Sequence, residues 1–181
     1  FGPQLLDLAD ASIRHGFGAG RALTVTEADF ADELWRPGAS FVTLHLDGRL
    51  RGCTGSATAW LPLARDVAEN AYGSAFTDPR FDPVTAQEVS RLDTEISLLT
   101  EPTPMSFTSE QDLLSQLVPG RDGLILEVGA NRGLFLPQVW DSVADAADFM
   151  VHLKIKAGLA RTFWSESVRI RRFFAHKIAR A

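Results

Sequence analysis

The first part of the chain carries apolar residues at helical spacing. Residues 5–15 place their apolar side chains on one face of a helix, and Gly16 follows as a stop signal. A second, short helix is predicted over residues 25–36, and Pro37-Gly38 ends it. Two short helices are therefore expected before the first extended segment.

Extended runs on either side of Asp47-Gly48 predict a β-hairpin. This pair is typical of a type I′ turn, because both central positions of that turn need a positive φ. A two-residue turn here sets Leu44 opposite Arg51 and Val42 opposite Cys53. Since cross-strand partners share a face, we expect Cys53 beside Val42 on the inward or cleft-facing side of the sheet, mostly buried.

Helices and strands are mixed through the rest of the chain. The patterns predict helices over 62–76, 109–117 and 138–159, strands over 92–99 and 167–174, and a second hairpin over 123–137 with its turn on residues 129–133. This mixture indicates an α+β fold, with mainly antiparallel sheet and flanking helices, rather than a doubly wound one. No repeat or linker divides the chain, so residues 1–181 are predicted to form a single domain.

The composition is that of an ordinary globular protein, with 45% hydrophobic and 23% charged residues. A net charge of −5 argues against a general nucleic-acid or membrane-surface binder. The basic run at 169–172 does not change this, because alternation along a strand divides its arginines between two faces. No apolar run approaches the roughly 20 residues that span a bilayer.

The four histidines and the single cysteine limit metal and disulfide chemistry. The histidines are widely spaced and belong to no metal-ligating motif, so neither a metal site nor a cofactor is predicted. Cys53 alone cannot form an internal disulfide, which fits a reducing compartment, and we expect a cytoplasmic protein. The start, FGPQ, is compatible with a fragment of a longer protein.

The segment GRLRGCTGSA, residues 48–57, leaves two interpretations of Cys53 open. A lone cysteine usually packs as a small buried side chain, and burial keeps its thiol neutral and slow to react. A nearby cation, here Arg51, would instead favour the reactive thiolate. Gly52 and Gly55 indicate that a helix or a ligand lies close against this strand. The predicted register favours the packing interpretation.

Several longer motifs follow one another along the chain. They are R-G-C-T-G, P-L-A-x-D-V-A-E-N-A, D-P-R-F-x-P, E-I-S-L-L, G-L-I-L-E, R-G-L-F-L-P-Q-V-W and H-L-K-x-K-A-G-L, which together cover about residues 4–175. Their sequence and order resemble the AMMECR-domain family, whose bacterial and archaeal members are called AmmeMemoRadiSam system protein A. The usual R-G-C-I-G of that family is R-G-C-T-G here.

The resemblance implies a larger and a smaller subdomain around a cleft. It also implies two partners, namely a Memo-type protein, similar in fold to non-haem-iron extradiol dioxygenases, and a radical-SAM enzyme. It implies no particular reaction, because the family's own biochemical activity is unsettled.

Two function hypotheses follow. In the first, the chain is an enzyme or enzyme subunit that acts with those partners, and its catalytic candidates at the cleft are Cys53, Arg51 and Glu95. In the second, it is a non-catalytic binding or adaptor module for a protein partner or a small anionic ligand. The binding candidates are Arg80, Gly52, Gly55 and Trp140.

Arg80 and Glu95 also have a structural interpretation. Charged residues inside apolar family motifs suit an anion binder and an acid/base, but the two side chains could instead pair and hold a loop to a strand. Because two prolines fix its loop, Arg80 is expected to be at least partly buried and paired with a carboxylate or a carbonyl.

Overall fold

Two antiparallel sheets, each with its own hydrophobic core, organise the chain in a computed structural model that describes residues 1–181. The sheets belong to two compact units, Phe1–Leu99 with His176–Ala181 and Thr100–Ala175. Every strand pair with an assigned register is antiparallel. The predicted α+β class with mainly antiparallel sheet and flanking helices is therefore confirmed.

The helices and strands follow one another in an irregular order. They are α1 (Gly2–Ala19), α2 (Asp32–Trp35), β1 (Pro37–Leu46), β2 (Arg49–Gly55), β3 (Leu61–Pro62), α3 (Leu63–Phe76), β4 (Leu92–Leu99), β5 (Thr103–Pro104), α4 (Glu110–Gln116), β6 (Gly123–Val128), β7 (Asn131–Phe135), α5 (Ala146–Lys156), β8 (Arg169–Phe173) and β9 (Ala175–Ala179). The first sheet has the order β2-β1-β4-β9, with β3 also paired to β1, and the second has the order β5-β8-β6-β7. No helix is long and apolar enough to cross a membrane.

One face of the first sheet forms the core of its unit together with α1 and α3. Val42 and Leu44 of β1 and Ile96 of β4 are completely buried there, in one cluster with Val67 of α3. Because successive strand residues point to opposite faces, the residues between them lie on the other side of the sheet. We call that side, which carries Thr43, Cys53 and Glu95, the thiol face.

The second unit buries the side chains of α4, α5 and β6 in a separate core. Phe149 and Leu153 of α5 are fully buried in one cluster with Leu124 and Leu126 of β6. Ser109 caps α4, since its hydroxyl accepts a hydrogen bond from the Asp112 N–H at 3.1 Å. The predicted helix over 138–159 is divided into a 3₁₀ segment, Pro137–Ser142, and α5.

The first helix does not stop at Gly16 but continues to Ala19. Gly16 is required for packing, because a Cβ at that position would lie 2.5 Å from the ring of Phe76 and 2.9 Å from that of Tyr72. The stop is supplied by Gly20, whose φ of 65° places it in the left-handed region.

Three further predictions on the chain path need correction. The helix predicted over 25–36 is only a 3₁₀ turn at Glu27–Asp29 followed by α2, with Phe30 extended between them. The strand predicted as the last one ends at Phe173, and β9 follows it and joins the first sheet. The second hairpin has a two-residue turn, because Val128 pairs with Asn131.

The first hairpin has the predicted turn but not the predicted register. Asp47 and Gly48 both have a positive φ, 51° and 80°, as a type I′ turn requires. His45 pairs with Leu50, yet Leu44 pairs with Gly52, so a β-bulge leaves Arg51 without a partner on β1. This single extra residue moves every following side chain of β2 to the opposite face.

Candidate functional site

Cys53 lies on the thiol face, opposite Thr43, and not beside Val42. The bulge at Arg51 causes this change, because it shifts the register by one residue before Cys53 is reached. The thiol is half-buried, so the predicted burial in the inward face is wrong. Thr43, only 4% exposed, donates a hydrogen bond from Oγ1 to the Cys53 Sγ at 3.3 Å.

A larger residue is excluded at Gly52 and at Gly55 for two different reasons. A Cβ on Gly52 would lie 1.9 Å from the Ser74 carbonyl oxygen of α3, so the predicted close approach of a helix is confirmed. A Cβ on Gly55 would lie 2.3 Å from the Ser40 carbonyl oxygen and 2.5 Å from the Phe41 ring, so here the neighbour is strand β1. Both glycines shape the strand that carries the thiol.

Arg51 fastens the loop after α3 to the edge of β2. Its Nε and Nη2 donate to the two oxygens of Glu88 at 3.1 and 3.2 Å, and its Nη1 donates to the Asp82 carbonyl at 2.7 Å. These hydrogen bonds lower the pKa of Glu88. The guanidinium is thus occupied by the loop, which suits a structural role for Arg51.

Asp78 connects the same loop to Cys53. Its Oδ2 accepts the backbone N–H of Cys53 at 3.0 Å and Nη2 of Arg80 at 2.8 Å, while its Oδ1 accepts Nε of Arg80 at 3.1 Å. The hydrogen bonds from Arg80 are the main reason why the pKa of Asp78 lies well below its usual range. Sequence reasoning missed Asp78, although an aspartate that caps the N–H two residues later is a recognisable turn signal.

Arg80 is paired as predicted, but it is not buried. Its partner is Asp78 in the same loop, and its side chain remains 55% exposed. The pKa of Arg80 is raised, mainly by its hydrogen bonds with Asp78. Because Asp78 Oδ2 accepts from both Arg80 and the Cys53 N–H, the guanidinium is joined to the strand that carries the thiol.

Glu95 completes a polar row across the thiol face. It stands opposite Thr43 on β4, as Cys53 does on β2, so the thiol, the hydroxyl and the carboxylate occupy three neighbouring strands. Lys177 of β9 pairs with Glu95 at 2.8 Å, so the alternative in which Arg80 and Glu95 pair with each other is not what the structure shows. Glu95 also lines a cavity of about 350 Å³ with His45.

Trp140 belongs to the core of the second unit. It is 7% exposed, its ring stacks on Phe149 with centroids 4.2 Å apart, and its Nε1 donates to the Asp122 carbonyl at 2.8 Å. These contacts give Trp140 a structural role in that core, and the structure does not bring it together with Cys53, Arg80 or Glu95. No group of three or more His, Cys, Asp or Glu side chains is arranged to hold a metal ion.

Comparison with known proteins identifies the family of this chain. The family model AMMECR1 matches residues 6–178. The chain belongs to the AMMECR1 family. A protein of Methanothermobacter thermautotrophicus is 37% identical to it over 176 residues, which cover 96% of this chain and 91% of that protein. Protein MJ0810 of Methanocaldococcus jannaschii is 41% identical over 143 residues, or 75% of this chain and 69% of the relative.

A solved structure supports the same fold for this AMMECR1 protein. The crystal structure of uncharacterized protein PH0010 from Pyrococcus horikoshii superposes with a TM-score of 0.89 at 34% identity. The match covers 97% of this chain and 89% of that one. The two chains therefore share one fold.

Proposed function

We propose that this AMMECR1 protein is an enzyme or an enzyme subunit whose reacting group is the Cys53 thiol. The observation that carries the proposal is the position of that thiol, half-buried on the thiol face with a hydrogen bond from Thr43, on a strand that Asp78 joins to the Arg80 guanidinium. A hydroxyl donor and a cation both favour the charged form of a thiol.

The substrate expected at this site carries a negative charge next to an electrophilic carbon. Arg80 engages Asp78 through Nε and Nη2, so its Nη1 can donate to an anionic group. The thiol proton passes to water, and the thiolate forms an S–C bond to a carbonyl or conjugated carbon whose π electrons move to the adjoining atom. Glu95 lies in the same row and carries no proton while it pairs with Lys177, so it is the candidate to accept the thiol proton through water and to return it to that atom.

Partners of two chemical classes belong to the same proposal. The resemblance implies a Memo-type, dioxygenase-like protein and a radical-SAM enzyme, which would supply or consume the substrate of the thiol site. Affinity capture of the full chain together with both neighbours tests this. Retention of neither protein would remove the partners from the proposal and leave the thiol site standing.

The rate of alkylation of Cys53 by iodoacetamide tests the reacting group. We expect labelling of the native protein near neutral pH, slower labelling in Arg80→Gln, and no labelling in the matched control Cys53→Ser. Labelling of the wild type that occurs only after denaturation would overturn the proposal.

The second candidate is a binding module without chemistry of its own, and the exposure of Arg80 favours it. A guanidinium that is 55% exposed but held by a carboxylate can present a fixed donor to an anionic ligand or an acidic partner. In that case Arg80→Gln abolishes partner capture while Cys53→Ser leaves it unchanged. Loss of capture or turnover in Cys53→Ser, at unchanged stability, favours the enzyme instead.

A further inference from the structure

We infer that Asp78 is the positioning residue of the thiol site: its carboxylate holds the Arg80 guanidinium beside Cys53 and thereby controls how readily the thiol ionises. The inference rests on the proposed function, in which the Cys53 thiol is the reacting group. Asp78 acts through its hydrogen bonds with Arg80 and with the backbone N–H of Cys53.

The four side-chain hydrogen bonds of Asp78 connect it to Arg80 and to Cys53. Oδ1 accepts the backbone N–H and Nε of Arg80, at 3.0 and 3.1 Å. Oδ2 accepts Nη2 of Arg80 and the backbone N–H of Cys53, at 2.8 and 3.0 Å. The Asp78 side chain is almost completely buried. One buried carboxylate therefore joins the strand that carries the thiol to the guanidinium.

Arg80 needs such a partner because most of its side chain faces water. A long cationic side chain at an exposed position otherwise samples many rotamers, and a water-screened cation has little effect on a neighbouring group. The two side-chain hydrogen bonds to Asp78 are bidentate, since Nε and Nη2 of Arg80 each donate to a different carboxylate oxygen. The Phe81 ring, 5.4 Å from Cζ of Arg80, supports the guanidinium from a second direction.

Removal of the Asp78 charge has two effects on the thiol, and they have opposite signs. The carboxylate is itself a negative charge near the thiol, so its loss alone would favour the thiolate and speed up alkylation. Release of Arg80 from its position would disfavour the thiolate and slow alkylation. The direction of the change therefore distinguishes a positioning residue from a neighbouring charge.

The experiment compares iodoacetamide labelling of Cys53 in full-length variants from about pH 6 to about pH 9. We expect Asp78→Asn to label about threefold more slowly than the wild type at neutral pH, with its profile shifted to higher pH. In an Arg80→Gln background the same substitution is expected to cause no further slowing. Asp78→Glu, which keeps the charge but displaces the carboxylate by one methylene group, is expected to be slowed as well.

Glu88→Gln is the matched control. It breaks the other carboxylate–guanidinium pair of the same loop, with Arg51, and leaves the hydrogen bonds of Asp78 in place. Its profile is expected to match that of the wild type, and thermal unfolding of each variant verifies that it is folded.

Three results would overturn the inference while the proposed function stands. The first is that Asp78→Asn labels at the rate of the wild type or faster. The second is that Asp78→Asn slows labelling equally in the wild type and in the Arg80→Gln background. The third is that Glu88→Gln shifts the pH profile of labelling as far as Asp78→Asn does. Failure of the native wild type to label at all overturns the proposed function itself, and the inference falls with it.

Discussion

At the residue scale, Asp66 and Asp78 are both buried carboxylates of the first unit, yet their surroundings act on them in opposite directions. Burial raises the pKa of Asp66 more than the hydrogen bonds from Ser40 and Asn70 lower it. The hydrogen bonds from Arg80 lower the pKa of Asp78 despite its burial. Asp78 receives hydrogen bonds from a cation, whereas Asp66 receives only neutral donors and is dominated by burial.

The two residues are therefore expected to affect stability with opposite pH dependence. Asp66 keeps its proton in the folded protein at pH values where it would already be ionised in the unfolded chain. As the pH rises from about 4, the free energy of unfolding of the wild type therefore falls relative to that of Asp66→Asn, by at most about 1.4 kcal/mol per pH unit. Folded Asp78 stays ionised where the unfolded chain is protonated, so the advantage of the wild type over Asp78→Asn is complete above about pH 4 and shrinks below it. Urea unfolding across this range measures both differences, and slopes of the same sign would contradict the assignment.

Among the glycines, Gly52 is the one where an added Cβ would meet the closest neighbour, at 1.9 Å. Gly52→Ala is expected to lower the free energy of unfolding by about 2 kcal/mol, because its Cβ would meet the backbone of α3 and the helix must move. Gly18→Ala is the matched control, since a Cβ there meets nothing within 4 Å and alanine favours the α1 helix. Equal stability of Gly52→Ala and the wild type would show that α3 lies further from β2.

At the element scale, the β-bulge in β2 decides which face carries the thiol. The turn at Asp47-Gly48 could be predicted because its signal is local and depends on backbone conformation alone. The bulge could not be predicted, because the alternation of polar and apolar residues along β2 does not show which residue lacks a partner on β1. Arg51 is left out of the ladder where its side chain reaches Glu88 and two carbonyl groups of a loop over 30 residues away in sequence.

The other elements also divide into those with a local sequence signal, which could be predicted, and those that depend on distant contacts, which could not. The helix α3 and the strand β4 have strong internal periodicity and were predicted almost residue for residue. The strand β9 has one apolar anchor, Ile178, and is formed only by pairing with β4 far away along the chain. Cys53 and Arg80 could be named from their motif, but Asp78 acquires its role only when the loop meets β2.

The turn of the first hairpin depends on backbone conformation rather than contacts. A Cβ on Gly48 would meet nothing within 4 Å, but its φ of 80° is strained for a β-branched residue. We expect Gly48→Val to lower the free energy of unfolding by about 1 kcal/mol. Arg49→Val, one position later in an ordinary strand conformation, is the control and should be close to neutral. An unchanged melting temperature for Gly48→Val would mean that the turn is not of type I′.

At the scale of the whole molecule, the chain returns to its first unit after completing the second. β9 adds the outer strand next to β4, and Ile178 packs against the first core. Lys177 pairs with Glu95, and Arg180 pairs with Asp7 and Asp10 of α1. The last segment therefore stabilises the unit that contains Cys53.

Removal of residues 175–181 is expected to destabilise the first unit selectively. The truncated chain loses the hydrogen-bonding partner of β4 and the apolar contact of Ile178, so amide exchange in β4 should accelerate by about tenfold or more. Exchange in β6 and α5 should change little, because their core contains no residue from that segment. The variant Arg180→Ala keeps β9 but removes its surface ion pairs with α1, which contribute little, and should exchange like the wild type. Exchange measured by mass spectrometry separates these outcomes, and equal acceleration in both units, or none in β4, would contradict the role assigned to β9.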